Sequence, residues 1–331
     1  MTREWRLCCT VWTGILFLTA ILAAPSAIGA AEKPKDFPNR PITVIVPGPA
    51  GGISDVGVRI MGESLKKLVG QVVLVEDKPG AAGQIAYTDF KNNAKPDGYT
   101  ISQVSSPHIH AIVLDATRKA VFTMKDFQPV ANHVQDPGAI LVRPDSPYKT
   151  LDDLLAAAKA NPGQIKVSST GLGGDDHLAI LNVQHKSGLR FNIIHTAGSP
   201  QAMAAVLGGH IDVNFDNIGG FLAPVKSGQA RLLAVMMDKR HPEFPDVPTF
   251  REKGIDAISA STRGYCVPAG TPKEIVRYLE ESMKKAMEDP EHIKRAKDIG
   301  LELKFMSGEE YGKFLQEQDE WVRPLVALYR K

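Results

Sequence analysis

Short apolar runs and amphipathic stretches alternate along most of the chain. The runs are rich in β-branched residues, and several are apolar at both odd and even positions, which is typical of strands buried on both faces of a parallel sheet. They are ITVIV (42–46), VVLVE (72–76), GYTIS (98–102), AILVR (139–143), IDVNF (211–215) and RLLAV (231–235). From Ile53 to Leu68, apolar residues recur at three- and four-residue steps, which predicts an amphipathic helix. This alternation indicates an α/β protein with open sheets.

Capping motifs mark several helix starts. Ser307 with Glu310, and Thr150 with Asp153, have the spacing of a capping box, and Thr271 is interpreted as a cap followed by proline at the first helical position. From Thr271 onward the pattern is helical and rich in charge. We expect this C-terminal tail to fold back across the first half of the chain.

Residues 1–31 have the order of a secretory signal peptide. Two arginines precede a long uncharged apolar stretch, and Gly29 and Ala31 would occupy the −3 and −1 positions of a cleavage site after Ala31. An uncleaved membrane anchor is the alternative, but the small residues before a polar, proline-bearing stretch favour cleavage. We therefore expect export to the periplasm and removal of this leader.

Charge and cysteine content narrow the function classes. The 39 basic and 37 acidic residues leave a formal net charge of +2, whereas a nucleic-acid partner calls for a strong basic excess. Beyond the leader, no apolar stretch approaches the roughly 20 residues needed to span a bilayer. Cys266 is the one cysteine after residue 31, so a large apolar core must replace disulfides in stabilising the fold.

The first predicted strand leads into a glycine-rich turn, PGPAGGISD (47–55). Free amides at Gly51 and Gly52 could hold an anion at the positive end of the following helix, with Ser54 or Asp55 as its cap. A tight turn also needs glycine, and the glycines alone favour this plainer interpretation. Neither nucleotide-binding fingerprint, GxGxxG or GxxxxGK followed by Ser or Thr, fits the stretch.

A second glycine-rich loop, STGLGGDDHLAIL (169–181), has two acids and a histidine at the start of a predicted helix. Three consecutive residues cannot face one point on a helix, so a metal site at Asp175, Asp176 and His177 is disfavoured. We interpret the acids as a pair of helix caps and the histidine as a packed side chain.

A third loop follows the same design. His195 to Ser199 form a short turn between a predicted strand and a helix, which could be another anion-binding turn. Asp216 ends the next strand, where it could accept hydrogen bonds from a ligand or cap a turn. Three such loops at the carboxyl ends of presumed strands favour a ligand site, because open α/β sheets bind ligands in the crevice at those ends.

Signals for catalysis or metal binding are weak by comparison. His108 and His110 lack a cysteine or glutamate at ligand spacing and are interpreted as structural or solvent-facing. No GxSxG motif occurs, and Cys266 has no adjacent base. Binding without chemistry is therefore favoured, with no catalytic residue, no metal and no cofactor.

The ordered motifs resemble the periplasmic solute-binding proteins of tripartite tricarboxylate transporters, the Bug family. The similarity covers nearly all of the chain after the leader. It is carried in family order by NRPITVIVPGPAGGISDVGVR, VLVEDKPGAAGQIA, PDGYT, DFQPVA, LDDLLAAAKANPGQIKVSSTGLGGDDHLA, VLGGHIDVNFD, FPDVPTFREKG and VPAGTP.

This resemblance implies a two-lobe, type II periplasmic-binding-protein-like α/β fold with a hinge between the lobes. Residues 32–137 and 259–331 would form lobe one, and residues 138–258 would form lobe two. The protein would be a monomer that captures a small carboxylate between the lobes and delivers it to membrane transporter subunits.

The resemblance also implies a set of ligand contacts. From lobe one they are Ala50, Gly51, Gly52, Ser54 and Asp55; from lobe two they are Thr170, Gly171, Gly198, Ser199 and Asp216. Where the family has Pro-Tyr-Lys-Gly, this chain has His195, Thr196, Ala197 and Gly198, so a bulky aromatic and a cation are missing. It also has Thr262-Arg263-Gly264-Tyr265 where the family has an aromatic pair before glycine. A larger ligand contacting His195 or Thr196 is therefore expected.

Two other functions stay open at the level of sequence. One is a secreted α/β enzyme that acts on an anionic substrate in the same cleft. The other is a sensory subunit that presents a ligand to a membrane histidine kinase.

Overall fold

The computed structural model describes residues 33–196 and 198–329. The expected signal peptide, residues 1–31, lies outside the described residues, as does Ala197. The described residues belong to one compact unit. No helix in the described ranges is long and apolar enough to cross a membrane.

The described chain contains ten strands and ten α-helices. The strands are β1 (Ile42–Val46), β2 (Val73–Asp77), β3 (Thr100–Ser106), β4 (Phe127–Val142), β5 (Lys166–Ser169), β6 (Asn192–His195), β7 (Val213–Asn217), β8 (Arg231–Val235), β9 (Ala260–Pro268) and β10 (Leu303–Ser307). The helices are α1 (Ile53–Val69), α2 (Gln84–Asn93), α3 (His108–Leu114), α4 (Leu151–Ala160), α5 (Asp175–Ser187), α6 (Ser199–Leu207), α7 (Leu222–Lys226), α8 (Lys273–Glu288), α9 (Pro290–Asp298) and α10 (Gly308–Leu328).

The sheet is mixed rather than wholly parallel. β1 pairs in parallel with β2 and β3, and β5 pairs in parallel with β6 and β7. Between these groups, β9 runs antiparallel to β3 and β4. Residues 127–137 of β4 pair with β9, whereas residues 138–142 pair with β7 and β8. One long strand therefore belongs to both halves of the sheet and changes partners at Pro137–Gly138.

The hydrophobic pattern located most elements but missed the length of β4. Residues 42–46 and 231–235 are strands as expected, and the first helix runs from Ile53 to Val69. AILVR is only the end of a 16-residue strand, because its earlier part contains buried polar residues such as Asn132 and His133. A pattern based on hydrophobicity cannot register polar residues that are buried in a strand.

The capping predictions are confirmed at two sites and wrong at a third. Thr150 and Ser307 each form both hydrogen bonds of a capping box. Thr271 does not cap α8: its hydroxyl donates to the Pro268 carbonyl (2.7 Å), and Pro272 is the residue before the helix. The proline lies one position earlier relative to the helix than the motif suggested.

Separate apolar clusters fill the two halves of the sheet. One contains Ile180 of α5 and Phe215 of β7, and another contains Val44 of β1, Met61 of α1 and Met283 of α8. The C-terminal tail packs against the first half of the chain through α8 and α1, as expected. Its last helix, α10, also packs between α3 and α5. The domain boundaries at 137/138 and 258/259 stay a prediction.

Candidate functional site

A cavity of about 500 Å³ lies at the carboxyl ends of β1, β3, β5 and β7. Open α/β sheets bind ligands at such ends, which makes this cavity the candidate site. It is lined by Pro47, Ser54, Ala81, Ala82, Tyr87, Ser105, His108, Arg118, Thr170, Gly171, Leu172, Gly174, Asp175, Asp176, Ser199, Asp216, Asn217, Ser261 and Arg263.

The structure brings only part of the expected contact set to the cavity surface. Five of these residues line it: Ser54, Thr170, Gly171, Ser199 and Asp216. The cavity lining does not include Ala50, Gly51, Gly52, Asp55, His195, Thr196 and Gly198. Each of the three glycine-bearing loops nevertheless lines the cavity or is followed directly by a residue that lines it.

The amides of Gly51 and Gly52 are not free, contrary to the expectation for the first loop. The Gly51 amide donates to Asp55 Oδ2 (2.7 Å), and the Gly52 amide donates to the Pro49 carbonyl (3.1 Å). Gly51 has a left-handed φ of 76°, which directs its amide back toward Asp55. The donors left for a ligand are the first-turn amides of α1, which lack intrahelical partners, and the Ser54 hydroxyl.

Asp55 holds this loop together rather than capping the helix. Gly52 precedes α1, and no side chain caps the helix there. Asp55 Oδ1 lies 2.7 Å from Arg59 Nε. Burial opposes ionisation of Asp55, but hydrogen bonds from Arg59 and the Gly51 amide outweigh it and lower the pKa of the carboxyl. Asp55 is therefore an ionised structural residue.

Three buried aspartates form the opposite wall. Asp176 Oδ2 accepts hydrogen bonds from the Thr170 amide (3.1 Å) and hydroxyl (2.5 Å). Asp216 Oδ1 accepts from the Ser199 hydroxyl (3.0 Å) and the Asn217 amide (2.8 Å). Neither Asp175 nor Asp176 caps α5, which follows Gly174 without a side-chain cap, so the helix-cap interpretation was wrong.

Burial and the repulsion of neighbouring carboxylates disfavour ionisation of Asp176 and Asp216. Burial raises the pKa of Asp216 to about 7, and the charge of Asp175 contributes to the shift. Burial also raises the pKa of Asp176 well above its ordinary value, with Asp175 and Asp216 adding to the effect. Asp216 therefore changes protonation near neutral pH.

His177, expected to be a packed histidine, is buried, and its Nδ1 accepts a hydrogen bond from the Gly173 amide (3.0 Å). Burial lowers the pKa of His177 to about 4, so the ring is neutral at pH 7. This interpretation is confirmed. His177 stabilises the loop that presents Thr170 and Gly171 to the cavity.

An arginine and a histidine reach the cavity from other elements. Arg263 of β9 is 8% exposed, and its Nη1 lies 3.8 Å from Asp136 Oδ2. His108 also lines the cavity, with Nε2 3.5 Å from Asp175 Oδ1; the interpretation of this histidine as structural or solvent-facing did not predict that position. Arg263 lies in the segment Thr262–Tyr265, where the sequence was expected to depart from the family it resembles, and that expected departure was the one sequence signal for this residue.

Arg118 joins two loops across the cavity mouth. Its Nη1 donates to the Ala81 carbonyl (3.2 Å), and its Nη2 donates to the Leu172 carbonyl (3.3 Å). Ala81 and Ala82 have left-handed backbone conformations, with φ of 49° and 57°, which are uncommon outside glycine and cluster at functional sites. Nothing in the sequence pattern distinguished these three residues.

The third loop lies at the edge of the site. His195 is exposed, and its Nδ1 lies 3.3 Å from the Ser169 hydroxyl. The Thr196 hydroxyl donates to the carbonyls of Ser169 and Gly198, both at 3.2 Å. These bonds orient the turn that precedes α6, and Ser199 at the start of that helix is the residue that reaches the cavity.

The described residues form no cluster of metal ligands. Within them, no group of three His, Cys, Asp or Glu side chains is arranged to hold a metal ion. Cys266 is fully buried in β9, and burial raises the pKa of its thiol far above the usual range. The thiol lies outside the cavity lining.

The chain is similar in sequence to a known protein family and to proteins of several bacteria. Residues 58–328 match the model of the tripartite tricarboxylate transporter family receptor, TctC. A UPF0065 protein of Cupriavidus necator is 34% identical over 303 residues, which cover 90% of this chain and 91% of that protein. BugT of Bordetella pertussis is 32% identical over 278 residues, covering 83% and 85% of the two chains.

The fold is also similar to that of solved solute-binding proteins and other bacterial proteins. A ligand-free TctC solute-binding protein from Polaromonas is 33% identical, with a TM-score of 0.77 over 88% of this chain and 99% of that chain. MatC of Rhodopseudomonas palustris, with bound malate, is 26% identical, with a TM-score of 0.75 over 88% and 100%. Another R. palustris protein, with adipate, is 25% identical, with a TM-score of 0.77 over 88% and 98%.

Proposed function

Because the chain belongs to the tripartite tricarboxylate transporter receptor family, we propose that it captures a small carboxylate in this cavity and delivers it to membrane subunits of a tripartite tricarboxylate-type transporter. Its α/β fold is that of periplasmic solute-binding proteins. Malate and adipate are bound by two proteins of similar fold, which supports a carboxylate as the ligand class.

The single observation that carries this proposal is the pairing of donors around the cavity. On one side, the first-turn amides of α1 and the Ser54 hydroxyl supply hydrogen-bond donors at the positive end of a helix. The buried Arg263 of β9 adds a guanidinium to this side. On the other side are the Thr170 and Ser199 hydroxyls, which donate to Asp176 and Asp216 and would exchange these acceptors for the ligand. A carboxylate that reaches both sides would exchange its water for donors fixed in position by the fold.

We propose that residues 32–137 with 259–331, and residues 138–258, act as two lobes around this cavity. The change of partners in β4 at Pro137–Gly138 supports the first boundary. The start of β9 at Ala260 supports the second. β4, which runs from one half of the sheet to the other, and the segment that leads into β9 would serve as the hinge. A ligand that contacts both lobes would stabilise the closed form by its differential affinity for that form.

Arg118 would take part in this closure. It donates to Ala81 in one proposed lobe and to Leu172 in the other. We propose that the closed form is the one recognised by the membrane subunits, and that the protein works as a periplasmic monomer after its leader is removed. We further propose that it has no enzymatic activity, in line with the solute-binding proteins it resembles.

A thermal-shift screen of the exported protein against di-, tri- and aromatic carboxylates tests this function. A ligand present at 100 times its dissociation constant adds about 2.7 kcal/mol to the free energy of unfolding, which raises the melting temperature measurably. Recovery of the bound acid unchanged after incubation is expected of a receptor. Conversion of the acid would instead establish an enzyme, and the absence of a shift with every acid would contradict the proposal.

A further inference from the structure

Asp216 places a carboxyl group at the surface of a cavity that is proposed to take a carboxylate. The residue is 6% exposed, lies near the end of β7, and lines the cavity beside Ser199. Two ionised carboxylates in a desolvated site repel each other, so an ionised Asp216 would weaken the binding of an acid. A protonated Asp216 would instead offer the acid a hydrogen-bond donor.

The two oxygens of this carboxyl group have different surroundings. Oδ1 accepts hydrogen bonds from the Ser199 hydroxyl (3.0 Å) and the Asn217 amide (2.8 Å). Oδ2 is buried and has no hydrogen-bond partner in the described part of the chain. Because two donors already occupy Oδ1, the proton of a neutral Asp216 belongs on Oδ2. Oδ2 is therefore the atom through which Asp216 can donate to a ligand.

The surroundings of Asp216 also favour its neutral form. Burial is the largest cause of a pKa of about 7 for Asp216, and the charges of Asp175 and Asp136 act in the same direction, against the hydrogen bonds to Oδ1. About half of the Asp216 carboxyl groups are therefore neutral at pH 7. The charged and titratable side chains that line the cavity with Asp216 are Asp175 and Asp176 of α5, His108 of α3, Arg263 of β9, Tyr87 of α2 and Arg118.

We propose that Asp216 binds the ligand as a neutral acid, with a proton on Oδ2 that is donated in a hydrogen bond to a carboxylate oxygen of the ligand. This inference rests on the proposed carboxylate-binding function and adds the protonation state in which the site binds. Where Asp216 is ionised in the ligand-free protein, the complex forms from the ionised carboxyl group, the ligand anion and a proton from solvent. The hydrogen bond runs in the opposite direction to the one expected from the sequence, in which Asp216 accepts from a ligand.

Binding by the neutral form fixes the sign of the pH dependence. Affinity for an acid should fall as pH rises through the Asp216 pKa of about 7, because the ionised form repels the ligand. The neutral fraction drops from about 0.9 at pH 6 to about 0.1 at pH 8, which predicts a loss of about tenfold in affinity. The number of protons taken up per ligand should rise in step, from about 0.1 at pH 6 to about 0.9 at pH 8.

Isothermal titration calorimetry of the exported protein measures both quantities. Malate, adipate and benzoate, which are largely ionised in this range, are titrated at pH 6, 7 and 8 in PIPES and in imidazole buffer. The difference in heat between buffers of unequal ionisation enthalpy gives the proton uptake. We expect each acid that binds to lose about tenfold in affinity from pH 6 to pH 8 and to take up about 0.9 protons at pH 8. Binding without proton uptake at pH 8 would overturn this inference and leave the carboxylate receptor intact, whereas no binding by any of the three acids would overturn both.

Two substitutions of Asp216 separate donation of a hydrogen bond from relief of charge repulsion. Asp216→Asn has an amide that donates but does not titrate, so its affinity should change by less than about twofold between pH 6 and pH 8 and its proton uptake should be lost. Asp216→Ala is also uncharged but cannot donate, so at pH 6 it should bind the acid about tenfold or more weakly than Asp216→Asn.

Each variant can contradict the proposal. Equal affinities of Asp216→Asn and Asp216→Ala would show that Asp216 acts through its charge alone. A pH dependence retained in Asp216→Asn would assign the proton to another group. Asp145→Asn, which removes a carboxylate whose side chain is 84% exposed, is the control and should keep the wild-type proton uptake. The wild-type proton count tests the proposal even if a variant does not fold.

Discussion

Replacing Asp216 by asparagine should stabilise the ligand-free protein at neutral and alkaline pH. The Asp216 carboxyl is buried, and one of its oxygens has no partner in the described chain. Asparagine would keep an oxygen that accepts from Ser199 and the Asn217 amide, while removing the charge that burial disfavours. A gain in stability on changing a binding residue is expected where a site has been kept polar for its ligand.

The size of the effect follows from the shifted pKa. The pKa of Asp216 is about 7 in the folded protein and about 3.9 in an unfolded chain. The folded state thus holds a proton between pH 4 and pH 7 that the unfolded state has released, so the wild-type protein loses stability as pH rises through this range. The advantage of Asp216→Asn should therefore be small at pH 4 and reach its maximum above pH 7. Between pH 5 and pH 8 it should grow by about 2 to 3 kcal/mol.

Urea unfolding of both proteins at several pH values, without ligand, measures this difference directly. Asp145→Asn is the matched control, because its exposed ion pair with Arg143 should contribute little to stability. Its difference from the wild type should stay below about 1 kcal/mol and change little with pH. A destabilised Asp216→Asn protein at pH 8, or an advantage that does not change with pH, would refute the claim that Asp216 is held as a desolvated carboxyl.

Three further predictions concern the frame around the site. Gly264→Ala should lower the free energy of unfolding by about 3 kcal/mol or more, because its Cβ would lie 2.4 Å from the Tyr311 ring. In the control Gly220→Ala no atom lies within 4 Å of the new Cβ, so the cost should be less than about 1 kcal/mol in the same denaturation assay. His110 is buried and burial lowers its pKa to about 4, so the free energy of unfolding falls as pH drops from 6.5 toward 4. His110→Leu should remove this loss, and its stability relative to the wild type should improve by about 2 kcal/mol from pH 7.5 to pH 4.5 in urea unfolding. The same pH dependence in both proteins would contradict this prediction. Ser307→Ala should cost about 1 kcal/mol by removing the capping box of α10, and an unchanged urea midpoint would show that the cap is dispensable.

The fold was largely readable from the sequence because most elements follow simple periodic patterns. β1 and α1 have their expected bounds almost to the residue. β4 does not, because Asn132, His133 and Asp136 are buried in the strand and interrupt its apolar pattern. A buried polar residue is tolerated when its partners are supplied by tertiary structure, as when Asn132 donates to the Lys304 carbonyl (2.7 Å). Such partners are distant in sequence and leave no local signal.

The candidate site was readable only in part, for a similar reason. Glycine-rich loops after strands pointed to Ser54, Thr170 and Ser199, and the structure places all three on the surface of one cavity. The loops did not reveal that Gly51 donates to Asp55, since that bond depends on the backbone conformation at one residue. Tyr87, Ser105 and Arg263 come from elements whose pattern indicates burial but not which buried residues face a cavity.

A crystal structure of the exported protein with the acid that gives the largest thermal shift tests the central claim most directly. We expect one ligand molecule in the cavity, with a carboxylate at Ser54 or Arg263 and its other end within hydrogen-bonding distance of Ser199 or Asp216. Residues on both sides of the cavity would then contact a single molecule. A ligand bound elsewhere, or one that contacts only one side of the cavity, would contradict capture of a carboxylate between two lobes.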